Sequence, residues 1–202
     1  MTVINIPRRS IRWARAMRRA CTDERAAQIA EFALSLPLLV VFVVGIFDFS
    51  GALALKQKLT NAAREGARVA AADPANDLGN PSGVPVSVAD AFYVVDNYLV
   101  SEKINDCGLN TVIPTLTAVF TWSSTTTGCP GGPSASLQLT INRGYVTAQT
   151  QGNTTTDVIN TRVTIQYPYK WRFNSVITLL VPSATYASVT SITTTATVFN
   201  QN

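Results

Sequence analysis

The chain has 202 residues, 47% hydrophobic and 14% charged, with a formal net charge of +4. That length suits one ordinary domain plus appendages. The absence of histidine removes Ser-His-Asp and Cys-His catalysis, together with every His-containing metal site. Basicity is confined to the start, where Arg8, Arg9, Arg12, Arg15, Arg18, Arg19 and Arg25 oppose only Asp23 and Glu24. No basic stripe remains for a folded element, so nucleic-acid binding is not indicated.

In chain order, residues 1–26 read as a basic cytoplasmic leader without an apolar core. Residues 27–72 read as one long helix. Its transmembrane span covers about 32–55, FALSLPLLVVFVVGIFDFSGALAL, with Asp48 as its single charge. A helix over that stretch reaches about 36 Å, enough to cross a hydrocarbon core of roughly 30 Å. A buried core helix is the alternative, but it would lack the polar face such helices usually carry. Arginines beside the span place the N-terminus in the cytoplasm and everything after Leu55 outside it. The helix continues through LKQKLTNAAREGARVAAA. Here Leu55, Leu59, Ala62, Ala63, Val69 and Ala70 form a narrow seam and Glu65 reaches Arg68. The breaker cluster DPANDLGNPSG (73–83) ends it.

Residues 73–202 read as an exported α+β domain with a second helix and a small, mostly antiparallel sheet. The helix is expected over Ser87–Ile104, with Ser87 and Asp90 as a capping box and Val88, Phe92, Val95 and Leu99 on one face. The period then becomes alternating. Strands are expected at LTAVFTW (116–122), at ASLQLTIN (135–142), along Ile159, Thr161, Val163, Ile165 and Tyr167, and at SVTSITTTATVF (188–199). SSTTTGCPGGPS (123–134) reads as a loop, and SVITLLVP (175–182), too short to span a bilayer, as core rather than a membrane or partner contact. YPYKWRF (167–173) interleaves aromatics with Lys170 and Arg172, as nucleic-acid platforms and membrane-surface patches do. It reads rather as a strand end bent at Pro168, with rings inward and charges outward.

Cys107 and Cys129 fall on the exported side and Cys21 in the reducing cytosol. A Cys107–Cys129 disulfide would close a loop of 22 residues and contribute about 3 kcal/mol. The spacing of these two cysteines beside Asp106 is unlike a zinc site. No P-loop, dinucleotide fingerprint or CxxC occurs, so no catalytic residue, cofactor or metal is assigned.

Glu31 stands at the mouth of the apolar run, where a carboxylate normally needs an interface or a partner. A cut between Ala26 and Ala27 would supply one, because the new α-amine of Ala27 lies one helical turn away. In an assembly the same carboxylate would attract the amine of an entering neighbour. Residues 25–71 carry Glu31-Phe32, Pro37 inside the span, Asp48-Phe49 near its end, and NAAREGAR at 61–68. With these marks the stretch resembles the TadE-like family of type IVb pseudopilins from tight-adherence (Tad/Flp) pilus systems. VTIQYPYKW (163–171) looks like that family's ending.

The resemblance implies processing by a prepilin peptidase and residence in the bacterial inner membrane. It also implies work with other pseudopilins, the Flp pilin and an inner-membrane assembly platform. Pilin-type sites commonly have Gly before the cut, where this chain has Ala26. Three other readings compete: an uncut, signal-anchored binding module, a secreted protein cut after Ala54 in the Ala52-Leu53-Ala54 pattern, and an exported enzyme.

Overall fold

A computed structural model describes the backbone of residues 24–79, 83–130, 135–171 and 189–201, with side chains from residue 27 onward except residue 189. The leader arginines up to Arg19, Cys21, the 175–182 run, Arg172 and Phe173 lie outside the described residues, as do residues 131–134. The first element, α1 (Glu24–Ala72), is one helix of 49 residues, about 74 Å long. It already includes residues 24–26, three earlier than the sequence reading placed its start. Pro37 is its only internal proline. Apolar side chains of its first half point outward on all sides, Leu34 being 81% exposed and Ile46 69%.

The second half of α1 is built differently. Leu59, Ala62, Ala63, Ala67 and Ala70 are fully buried. Val69, expected in this seam, is only half-buried, and Ala67 takes its place. Small side chains bring α1 close to its neighbours. A Cβ built on Gly66 would lie 2.6 Å from Val95 Cγ2 and 3.4 Å from the Ala91 carbonyl oxygen. Glycine here, which lowers helix propensity, is required by the approach of the second helix. Arg68 pairs with Glu65 at 3.3 Å, as the spacing predicts.

α1 ends where its orphan carbonyls find outside donors. The Gln201 backbone N–H donates to the Ala71 oxygen at 3.1 Å, and Arg143 Nη2 donates to the Asp73 oxygen at 2.9 Å. Pro74 follows, which cannot extend a helix. A short 3-10 turn, Ala75–Gly79, leads onward.

The second helix, α2, spans Val86–Ser101 and buries Val88, Phe92, Val95 and Leu99 as the spacing predicts. Its expected capping box does not form. The N-cap is Pro85, without a side-chain cap bond, and the Ser87 backbone N–H donates instead to Asp77 Oδ2 at 3.0 Å. Asp77 therefore supplies from the 3-10 turn the acceptor and the negative charge that a helix start favours. At the other end Ile104 N–H bonds the Leu99 carbonyl and Lys103 N–H the Val100 carbonyl, with Lys103 at φ 57°. This Schellman arrangement stops α2 before Ile104.

Five antiparallel strands follow in sequential order: β1 (Thr115–Ala118), β2 (Thr121–Thr126), β3 (Leu137–Gln151), β4 (Thr154–Lys170) and β5 (Val189–Phe199). One sheet face meets the second half of α1, which also packs on α2. Leu137, Leu139, Ile141, Val163 and Ile165 on that face are completely buried. The opposite face carries hydroxyl pairs, Ser123 with Thr140 at 3.0 Å and Thr164 with Thr195 at 3.2 Å.

Three strand expectations need correction. Residues 116–122 are a hairpin rather than one strand: Ala118 pairs with Thr121, and Phe120 sits at φ 53°. Only Trp122 of the expected inward row is buried, at 3% exposure. Ser123–Thr126, read as loop, is strand β2 in register with Leu137–Thr140. Ile159 is 56% exposed because β3 and β4 run on beyond β2 and β5, whose last partners are Asn142 and Asn160. The Cys107–Cys129 disulfide is formed, with Cα atoms 4.5 Å apart.

Candidate assembly site

The residues singled out by sequence lie along α1 and at the places where the domain grips it. Ala26 and Ala27 are inside the helix, so the expected cut falls within regular helical backbone. Ala27 and Glu31 are exposed. Four residues of helix separate them by about 6 Å along the axis. Among the described residues the salt bridges join Lys58 to Glu102 and Arg68 to Glu65, and neither involves Glu31. The carboxylate thus stands among exposed apolar side chains, Ile29 at 70% and Phe32 at 65% exposure.

Asp48, the other acid of the apolar run, is in a different setting. Its residue is only 3% exposed, and Tyr169 Oη donates to its backbone oxygen at 3.1 Å. Phe49 meets Trp171 edge-on with centroids 5.5 Å apart, and Tyr169 meets Trp171 at 5.2 Å. Trp171 Nε1–H donates to Thr190 Oγ1 at 2.8 Å. The Asp48-Phe49 and YPYKW motifs, 121 residues apart, therefore form one contact. As expected from the sequence, Tyr167 and Tyr169 point inward while Lys170 is exposed. Pro168 is tolerated in β4 because β3 pairing ends at Gln166, leaving that part of the strand, among the described residues, paired on one side only.

Sequence reading missed Arg143 and took Asp96, with Glu102, for an ordinary surface carboxylate, whereas Asp96 is buried. Arg143 is wholly buried, donating to Thr161 Oγ1 at 3.4 Å and to the Asp73 oxygen. Burial pushes its guanidinium below its ordinary value, and the Asp77 and Asp73 carboxylates oppose that shift. The Asp96 carboxyl on α2 is pushed upward, mainly by burial and then by the negative charge of Asp106. Tyr167, whose Oη donates to the Asn105 oxygen at 3.0 Å, is raised by burial and again by Asp106. The signal for Arg143 was its place in the inward row after Leu137, Leu139 and Ile141.

Among the described residues no group of three or more His, Cys, Asp or Glu is placed to hold a metal. An 18-residue window within Ala27–Ala72 has a mean hydropathy of 2.4 and none of it is buried, so this helix is fit to cross a membrane. Residues 26–68 match the protein family described as TadE-like protein. No curated protein and no solved structure matches the chain.

Proposed function

We propose that this chain is a non-catalytic, membrane-anchored pseudopilin acting in the assembly of a tight-adherence (Flp, type IVb) pilus. The reading rests on one coincidence. The family match at 26–68 covers the apolar, exposed first half of the helix, marked by Glu31 at its start, and most of the buried half that follows. That second half is packed into a disulfide-closed α+β domain. Prepilin peptidase would cut between Ala26 and Ala27, leaving the leader in the cytoplasm and the domain outside. The Glu31 carboxylate would then attract the Ala27 amine of an incoming pseudopilin or of the Flp pilin on the inner-membrane platform. Low dielectric makes such a pairing stronger than it is in water.

The deciding experiment is the mature N-terminus, read by N-terminal sequencing and intact mass of protein from cells. A chain beginning at Ala27 is expected. A chain still beginning at Met1 would establish the signal-anchored binding module instead. Glu31→Gln is expected to leave membrane insertion intact while piliation falls; normal piliation by this variant would defeat the amine-pairing step.

A further inference from the structure

Among the described residues, the apolar half of α1 stops being open where the sheet domain first touches it. That point is Asp48, covered by Tyr169, with Phe49 and Trp171 beside it. The contact is close, since a Cβ on Gly51 would lie 2.9 Å from Tyr169 Oη. A bilayer reaching Leu55 would need to engulf this contact and the exposed Lys170 next to it. An ammonium group in hydrocarbon is costly. From Glu31 to Asp48 the helix rises about 26 Å, so the two acids sit near opposite edges of a hydrocarbon core of roughly 30 Å.

We infer that Phe49 and Trp171, braced from behind by the buried Tyr169, form an aromatic collar that seats in the lipid headgroup layer and fixes how deeply α1 enters the bilayer. The partner is the membrane surface itself. Aromatic rings favour that layer; the Trp171 ring is only half-buried, and its Nε1–H bond to Thr190 Oγ1 and its edge-to-face contact with Tyr169 hold it in place. Phe49 stays 58% exposed on the side away from Trp171, so it has apolar surface to give to lipid. The collar also shortens the span expected from sequence, moving its outer limit from Leu55 to about Asp48. It rests on α1 crossing a membrane and is independent of the pilus role.

The test uses the full chain in phosphatidylcholine–phosphatidylglycerol vesicles carrying nitroxide-labelled lipids, with the label at the headgroup or at different acyl depths. Trp171 emission is isolated by subtracting the Trp171→Phe protein. The headgroup and shallow acyl labels are expected to quench it most, placing the ring about 15 Å from the bilayer centre. Quenching mainly by deep acyl labels would overturn the collar and restore the longer span. Quenching by aqueous acrylamide alone, in protein that resists alkaline extraction, would overturn it by placing the ring in water, clear of the bilayer. Protein that alkali extracts would remove the span and the collar together.

A second readout follows depth directly. On a Cys21→Ser background, Ser50→Cys is labelled with a membrane-impermeant maleimide. Adding Phe49→Ala and Trp171→Ala is expected to change that labelling several-fold as the helix loses its seat. Unchanged labelling would show that the rings set nothing.

Discussion

The two halves of α1 share a backbone and differ in everything that touches it. Before Asp48 the helix carries Leu, Val, Ile and Phe, mostly exposed. Beyond Leu55 it carries Ala and Gly, mostly buried. Large apolar side chains suit a fluid that moulds around them. Small ones suit a rigid partner, because they let the sheet and α2 approach closely. Hydrophobicity alone would rank the first half as the better core; side-chain size shows which half meets protein.

The contrast breaks most visibly at Leu59 and Leu38. Leu59→Ala is expected to cost the domain about 2–5 kcal/mol, since it empties a completely enclosed site. Leu38→Ala, at a residue 61% exposed, is expected to leave the domain's melting unchanged. Thermal denaturation in detergent, followed by near-UV circular dichroism, compares the two. Equal losses would mean that the first half also packs on the domain.

A smaller effect sharpens the boundary from the domain side. Cys107→Ser with Cys129→Ser is expected to cost about 3 kcal/mol through the freed loop of 22 residues. Urea unfolding of the domain would show this, while resistance to alkaline extraction stays as it was. Loss of extraction resistance would mean that the anchor depends on the domain.

The smallest effect concerns Asp96. Its carboxyl is raised by burial and by Asp106, so the fold prefers the protonated form. The corresponding stability is fully present below the ordinary carboxylate range and is lost as pH rises through the raised value. Asp96→Asn should therefore stabilise the domain at neutral pH and have little effect in acid. Melting curves at both pH values check this, and a gain of equal size at each would refute it.

What the sequence made readable follows from periodicity. The helical seam, the Val88–Leu99 face and the rows at Leu137–Ile141 and Thr161–Tyr167 each keep one period over several residues. The hairpin at Val119–Phe120 did not show itself because its inward–outward alternation runs straight through the reversal. Val-Phe also lacks the usual turn residues. The clue lay across the sheet at Gly144, where a Cβ would strike Phe120 at 2.7 Å. Ser123–Thr126 looked like a polar loop, yet Thr is a good strand former when its hydroxyl is satisfied. The Ser87 box failed because a carboxylate ten residues upstream occupied the site. Glu31 and the two cysteines were readable as candidates from local context alone. The meeting of Asp48-Phe49 with Tyr169 and Trp171 was not, since no local pattern pairs segments that far apart.

The register of the last strand has a consequence for biogenesis. β5 and Gln201 close over α1, the first element described, with Thr194 bonded to Thr60 and Gln201 to Ala71. The alanine seam of α1 therefore leaves the ribosome long before the strand that covers it. Until then it is an uncovered apolar strip, the kind of transient surface that invites aggregation. A chaperone or holding partner during synthesis is the natural remedy, and pausing translation before β5 should lengthen the time for which the chain depends on one.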